Sequence, residues 1–464
     1  MTSSDETGQT PATMSVGPDA PPVLYNWKVL RVLALILLAI KIATLIWVRP
    51  FMDETYYFMW GQHPGISYFD HPPLIGWIDM LSGAVFGWTR LALRVPVFLT
   101  LLGDLFVLYL FARRWDGDAW RPRFWLSAVL LLTMPVFFVM TGVALPDHLM
   151  ILALLVAFYA LELYFAADGK AGRARWMYVA GVAIGAAMLA KYYAILAVLG
   201  VVLFAMVSVR GRSLLRDPHF YLAALLAALM QTPVIVWNFH HDFASFRFIT
   251  GGRYPLADPA TFSGLIGYLL GIVVMVSPFL IWATGRFAFG RGGSQERMSR
   301  TIFWVSTLAF LAASFVTNII VHWNLVAYVA MLPHVTRYLR SRVLLGLHII
   351  FGLLTIALVT FNWGVVPVAA LLRLSDQTSS WSYGWDEVAA KVKALSVEHH
   401  ADFIAATDYT LASPLGFELQ SRDVISLTPR TEQYDYWFDA DAHRGKTAII
   451  VADRWRGLGP SIAK

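Results

Sequence analysis

Two neighbouring carboxylates, Asp53 and Glu54, follow directly on the first long apolar run, in the stretch Asp53-Glu54-Thr55-Tyr56-Tyr57. Charges at a membrane boundary are costly to keep unless water or a cation meets them. Such a pair is therefore either solvated and dispensable or held for proton transfer. Further on, Tyr68-Phe69-Asp70-His71-Pro72-Pro73 sets a second ionisable pair before two prolines, which end one segment and are able to start a helix. Tyr56, Tyr57, Phe58, Trp60 and Trp77 read as the aromatic belt of a membrane–water interface. Arg94, Asp147, His148, Lys191, His240, His241, Asp242, His322 and Asn324 also fall at or near the ends of apolar runs.

The elements that position these groups follow from composition. Of 464 residues, 58% are hydrophobic and only 14% charged, where a soluble domain is nearer a quarter charged. The reading is an all-α polytopic membrane protein. The net charge of +6 sits in short arginine clusters between apolar runs, which is a topology signal and not a nucleic-acid stripe. With no cysteine there is no disulfide framework, thiolate nucleophile or Cys-ligated metal. Residues 1–26 are rich in Ser, Thr, Pro, Gly and Asp without a basic n-region, and read as a disordered tail, not a signal peptide. The chain contains no GxGxxG, Walker loop or HExxH, and Gly290–Ser294 reads as a flexible linker.

Apolar runs of spanning length are expected at 29–48, 91–112, 124–141, 147–166, 176–190, 192–209, 219–237, 263–284, 301–320, 323–339 and 343–362, with Pro72–Phe86 lying flat at the interface. One set of loops carries nineteen Lys and Arg and the opposite set six. By the positive-inside rule the first set is cytoplasmic; the N-terminus is then inside and, after eleven spans, the C-terminus outside. On this scheme the carboxylate–histidine residues collect at the outer face. Lys41 within the first span is expected to snorkel or to pair with Asp104. The domains read as a cytoplasmic tail over 1–27, a membrane domain over 28–362 and a small extracytoplasmic α/β domain over 363–464. In the last, Asp386–Val397 has helical spacing and Phe403–Ala406 and Thr447–Val451 look like strands.

The run DETYYFMWGQHPGISYFDHPPLIGWIDMLSGAVFG, followed by ALRVP, resembles the first outer loop of the GT-C class glycosyltransferases. It is similar to the lipid A aminoarabinose transferases and the protein O-mannosyltransferases. TGVALPDHLMILALL, LAKYYAIL, WNFHHDFASFRF and HWNLVAY extend the resemblance over most of residues 28–340. It implies a GT-C fold in a bacterial inner membrane. The implied enzyme takes a sugar from a polyprenyl-phosphate carrier and passes it to lipid A, another envelope glycan or a protein. Asp53 would be the catalytic carboxylate. The aminoarabinose transferases have glutamate and lysine where this chain has Asp70 and His71. A later outer-loop histidine joining a carboxylate around a metal would be His240 or His241 here, with Asp70 as partner. No cofactor is otherwise implied.

Displacing a phosphate from a sugar carbon needs a base for the acceptor hydroxyl and cations for the departing anion. Asp53 is the candidate base, with Glu54 orienting it or binding sugar. Lys191 is the first candidate for the phosphate, Arg94 the second, and His71 assists if protonated. Asp147 would hold Lys191 or contact the sugar, while an Arg94–Asp147 pair locking two helices is the structural alternative. Tyr57, Tyr68, His240 and His322 complete the candidate substrate site, against a reading of each as an interface residue. A lipid-linked-sugar flippase is the rival class. Transporters, however, place ionisable groups near the midplane of repeated halves, and no repeat is visible here.

Overall fold

The computed structural model describes residues 25–252 and 262–459, so the expected tail falls almost wholly outside it. The molecule is mostly helical. Helix α1 (Trp27–Trp47) opens on Asn26, whose side chain accepts the Lys28 amide. Then come α2 (Met52–Gln62), α3 (Leu74–Phe86), α4 (Arg90–Asp116), α5 (Arg121–Thr133), α6 (Pro135–Met140), α7 (Pro146–Ala166), α8 (Lys170–Ala190) and α9 (Ile195–Val207). The membrane part continues through α10 (Pro218–Leu229), α11 (Thr232–His240), α12 (Ser263–Val276), α13 (Ile281–Phe289), α14 (Ser294–Ala313), α15 (Leu325–Val335) and α16 (Arg342–Gly364).

Each expected span falls on a helix or on a helix pair, but several are shorter or more broken than their apolar runs. Among the described residues α1, α4, α7 and α16 are long and apolar enough to cross a membrane. The pair α10 and α11 bends by 42°, and Ser263–Val276 with Pro278–Phe289 by 84°; counting each bent pair as one span gives six. The breaks have local causes. Pro135, at the start of α6, has no amide hydrogen to continue the ladder of α5, and Pro233 and Pro278 open helical segments in the same way.

Burial sorts the helices. Leu126 and Ala128–Leu132 of α5 and the whole of α15 are enclosed, as befits helices apolar on every side. The peripheral α1 and α16 keep large side chains on the surface, among them Ile46, Leu354 and Leu358. A belt this apolar is stable only where its solvent is hydrocarbon. The chain is a membrane protein.

After α16 the chain forms α17 (Trp385–Glu398), β1 (Phe403–Ala406), α18 (Tyr409–Leu419), β2 (Ile425–Ser426) and β3 (Ala448–Val451). The strands make a parallel sheet in the order β2-β1-β3, pairing Phe403 with Ala448 and Ala405 with Ile425. Tyr56, Tyr57, Trp60, Tyr68 and Ile75 share one core with Trp385, Val392, Leu411, Leu415 and Tyr434. This corrects the expected aromatic belt. Tyr56, Tyr57, Phe58 and Trp60 are buried within protein because α18 packs over α2. Helix α3 packs on the same helix so closely that a Cβ on Gly61 would lie 2.6 Å from the Met80 amide nitrogen.

Candidate active site

Asp53 and Glu54 occupy the first turn of α2, where free amides and the helix dipole favour negative charge. Successive helical residues point about 100° apart, and the two carboxylates meet different surroundings. Glu54 is wholly enclosed, 0% exposed. Arg94 of α4 donates to both of its oxygens, from Nη2 at 3.0 Å and from Nη1 to Oε1. The Ala144 amide donates to Oε1 and the Phe51 amide to Oε2, both at 2.7 Å. Asp53 is only half-buried and lies beside the Tyr409 phenol of α18.

The second ionisable pair sits in a loop held from both sides. The Tyr68 hydroxyl donates to the Trp60 carbonyl at 2.9 Å and accepts the Gly65 amide at 3.1 Å, with its ring stacked on Trp60 at 4.4 Å. Only glycine fits at position 76, since a Cβ there would come 2.7 Å from the Tyr68 ring. Asp70 accepts the Tyr56 hydroxyl on one oxygen and lies 3.6 Å from the Arg430 guanidinium on the other. His71 is buried with its ring 5.9 Å from that of Tyr57. The C-terminal segment closes this loop: Gln433 donates its amide to the Tyr56 hydroxyl at 3.1 Å and accepts the Phe69 amide at 2.6 Å.

Arg430 lies over Phe248 at 5.1 Å and Tyr409 at 5.8 Å. Burial, followed by the charges of Asp53 and Asp70, pushes the Tyr409 phenol well above its usual range. Burial likewise raises the Glu432 carboxyl well above the carboxylate range, with Asp408 and Asp70 adding to the shift. Tyr409, Arg430, Glu432 and Gln433 were not among the expected site residues. The one signal in the sequence is the dense mixture of charge and aromatics in Arg430-Thr431-Glu432-Gln433-Tyr434-Asp435-Tyr436.

Lys191 caps the C-terminal end of α8 in extended backbone and donates to both oxygens of Asp147 at 2.7 Å. Asp147 lies in the first turn of the antiparallel neighbour α7, and His322 is close enough to act on its charge. The structure thus pairs Arg94 with Glu54 and Asp147 with Lys191, and does not form an Arg94–Asp147 lock. Nor does Lys41 meet Asp104. The buried Lys41 ammonium donates to the Phe138 carbonyl, while both Asp104 oxygens lack a hydrogen-bond partner among the described residues.

His240 is exposed at the end of α11. His241 contacts the Trp237 carbonyl through Nδ1 at 2.7 Å, stacks on the Trp237 ring at 4.1 Å and meets Tyr436 edge-on. The chain then turns sharply through Asp242 and Phe243, both at positive φ. That costly conformation for a bulky residue brings the Ser245 amide onto the Asn238 side chain at 3.1 Å. A cavity of about 380 Å³ opens between this turn, the Gly65–Tyr68 loop, and Gln433 and Tyr436. Among the described residues no three His, Asp or Glu side chains gather as a metal-binding group, so Asp70, His240 and His241 do not form a ready-made ligand set.

Comparison with known proteins agrees with this architecture. Residues 70–237 match the family model for dolichyl-phosphate-mannose-protein mannosyltransferase. The chain is 25% identical to a lipid A galacturonosyltransferase of Rhizobium johnstonii over 80% of its own length and 78% of the relative's. The fold is shared with ArnT from Cupriavidus metallidurans. For the undecaprenyl phosphate-bound structure the TM-score is 0.61 at 16% identity, over 88% of this chain and 87% of that one. For the apo structure it is 0.60 at 17% identity, over 92% and 89%. The fold is that of an integral-membrane GT-C protein. In fold, in its family-model match and in its Rhizobium relative, the chain is similar to GT-C glycosyltransferases.

Proposed function

We propose that this protein transfers a sugar from a polyprenyl-phosphate carrier to a membrane-embedded acceptor at the outer face of the bacterial inner membrane. The acceptor class to test first is lipid A, the substrate named for the Rhizobium relative; the bound ligand of the ArnT structure supports the carrier. The observation that carries the reading is the contrast between adjacent carboxylates. Glu54 is enclosed by Arg94 and two amides, whereas Asp53 is only half-buried, beside the Tyr409 phenol on which Asp70 and Arg430 also act.

Asp53 then acts as the base that takes the acceptor hydroxyl proton as the oxygen attacks the anomeric carbon. One carboxylate suffices for inverting transfer, without a covalent sugar intermediate. Arg430 offers positive charge to the departing phosphate, His71 assists if protonated, and Lys191, held by Asp147, supplies a further cation at the outer end of α8. The 380 Å³ cavity beside Gln433 and Tyr436 is the place for the acceptor headgroup. In this reading 1–27 is a cytoplasmic tail, 28–362 the catalytic membrane domain and 363–464 a periplasmic domain.

Two measurements test it. Mass spectrometry of envelope glycolipids and glycoproteins from cells with and without the protein should show one class losing a sugar. Asp53→Asn should insert and bind lipid-linked sugar normally yet transfer it at least ~100-fold more slowly, with loss of the acidic limb of the pH–rate profile. Normal turnover by this variant removes Asp53 from the reaction.

A further inference from the structure

We propose that the protein carries a second lipid site, for the headgroup of an anionic phospholipid, at the end of the molecule opposite Asp53. There a cavity of about 550 Å³ is bordered by Arg286, Arg291, Arg337 and Arg340, and among the described residues no acidic side chain lines it. Arg337 donates to Glu296 at 2.9 Å; Arg286, Arg291 and Arg340 make no ion pair among the described residues. Three uncompensated guanidinium groups around one hollow repel each other, and an anion between them relieves that repulsion.

The remaining wall identifies the anion as lipid-borne. Phe279, Trp282 and Leu344 line the same cavity, and Trp282 is 67% exposed on the apolar flank of α13. A headgroup phosphate among the arginines can therefore continue into acyl chains along Trp282. The cavity also sits at the depth of a leaflet surface. Arg342 begins α16, whose other end, Gly364, accepts the Trp47 indole beside α2. Twenty-three residues at 1.5 Å per residue separate the two ends by about 34 Å, a bilayer core's thickness. Basic pockets between helices on the cytoplasmic side suit phosphatidylglycerol or cardiolipin, with each arginine contributing about fivefold in affinity. The cavity is remote from the residues proposed for sugar transfer, so this site stands or falls apart from that activity.

The test uses full-length protein in neutral detergent, delipidated and titrated with phosphatidylglycerol, cardiolipin or phosphatidylcholine, with retained lipid counted by native mass spectrometry. Wild type should retain the anionic lipids selectively. Arg286→Gln with Arg340→Gln should weaken that retention at least ~10-fold without changing phosphatidylcholine adducts. The single variant Arg291→Gln, in an exposed loop, should weaken it a few-fold and serves if the double variant does not fold. Equal retention of anionic and zwitterionic lipid, or unchanged retention in folded variants, overturns the proposal. Displacement of the lipid by millimolar inorganic phosphate also overturns it, since the site would then take a soluble anion.

Discussion

At the scale of single residues, a step of about 100° within the first turn of α2 separates a structural acid from a proposed catalytic one. Glu54 and Arg94 form a buried ion pair in which Glu54 also accepts the Phe51 and Ala144 amides. Removing one partner leaves the other charged, desolvated and alone, a loss of about 3–5 kcal/mol. Glu54→Ala should therefore lower the thermal transition of the purified protein sharply, while Asp53→Asn should leave it nearly unchanged. Equal transitions for the two variants would contradict the division of roles. Lys191 poses a related question, because Asp147 already holds it. Lys191→Ala should cost both stability and transfer. Lys191→Arg, which keeps the charge for Asp147 and for a phosphate, should restore stability and part of the transfer rate. Full transfer by a folded alanine variant would make the lysine purely a helix clasp.

At the scale of elements, the loop that carries Asp70 is built jointly by α2, α3 and the segment after α16. Gln433 ties Tyr56 to Phe69, and Arg430 reaches Asp70. Glu432 lies buried in this junction with its carboxyl raised well above the usual range. A raised acid binds its proton more tightly folded than unfolded, so its contribution is fully present below the unfolded value. It is lost as pH rises through the folded one. The transition temperature of the wild type should thus fall between mildly acidic and mildly basic pH. Glu432→Gln, which keeps the neutral shape, should flatten that fall and be at least as stable at neutral pH. Parallel pH curves for the two proteins would show that Glu432 is ionised in the fold.

At the scale of the whole molecule, charge asymmetry makes a topological prediction. The basic loops, including the arginine-lined cavity, should face the cytoplasm, and Asp53 with the C-terminal sheet should face outward. A reporter active only outside the cytoplasm should work when fused after Lys464 and stay silent when inserted at Gly292. The opposite result would place the proposed site on the cytoplasmic side and rule out an outer-face acceptor.

The sequence by itself determined the class of molecule. Apolar runs and sparse charge require a lipid-solvated helical protein, and the acidic pair with its Tyr-Phe-Asp-His-Pro-Pro loop resembles the GT-C glycosyltransferases. Helix α17 and strands β1 and β3 were legible from local periodicity, which needs no distant partner. Helix α18 was not, since Pro414 and Gly416 argue against a helix that is stabilised by packing on α2. The tertiary structure alone decided which carboxylate is enclosed, because the arginine that claims Glu54 stands 40 residues away on another helix. It also decided that Tyr56 and Trp60 are core and not belt. An aromatic ring has the same apolar surface whether lipid headgroups or α18 cover it, and only the fold says which does.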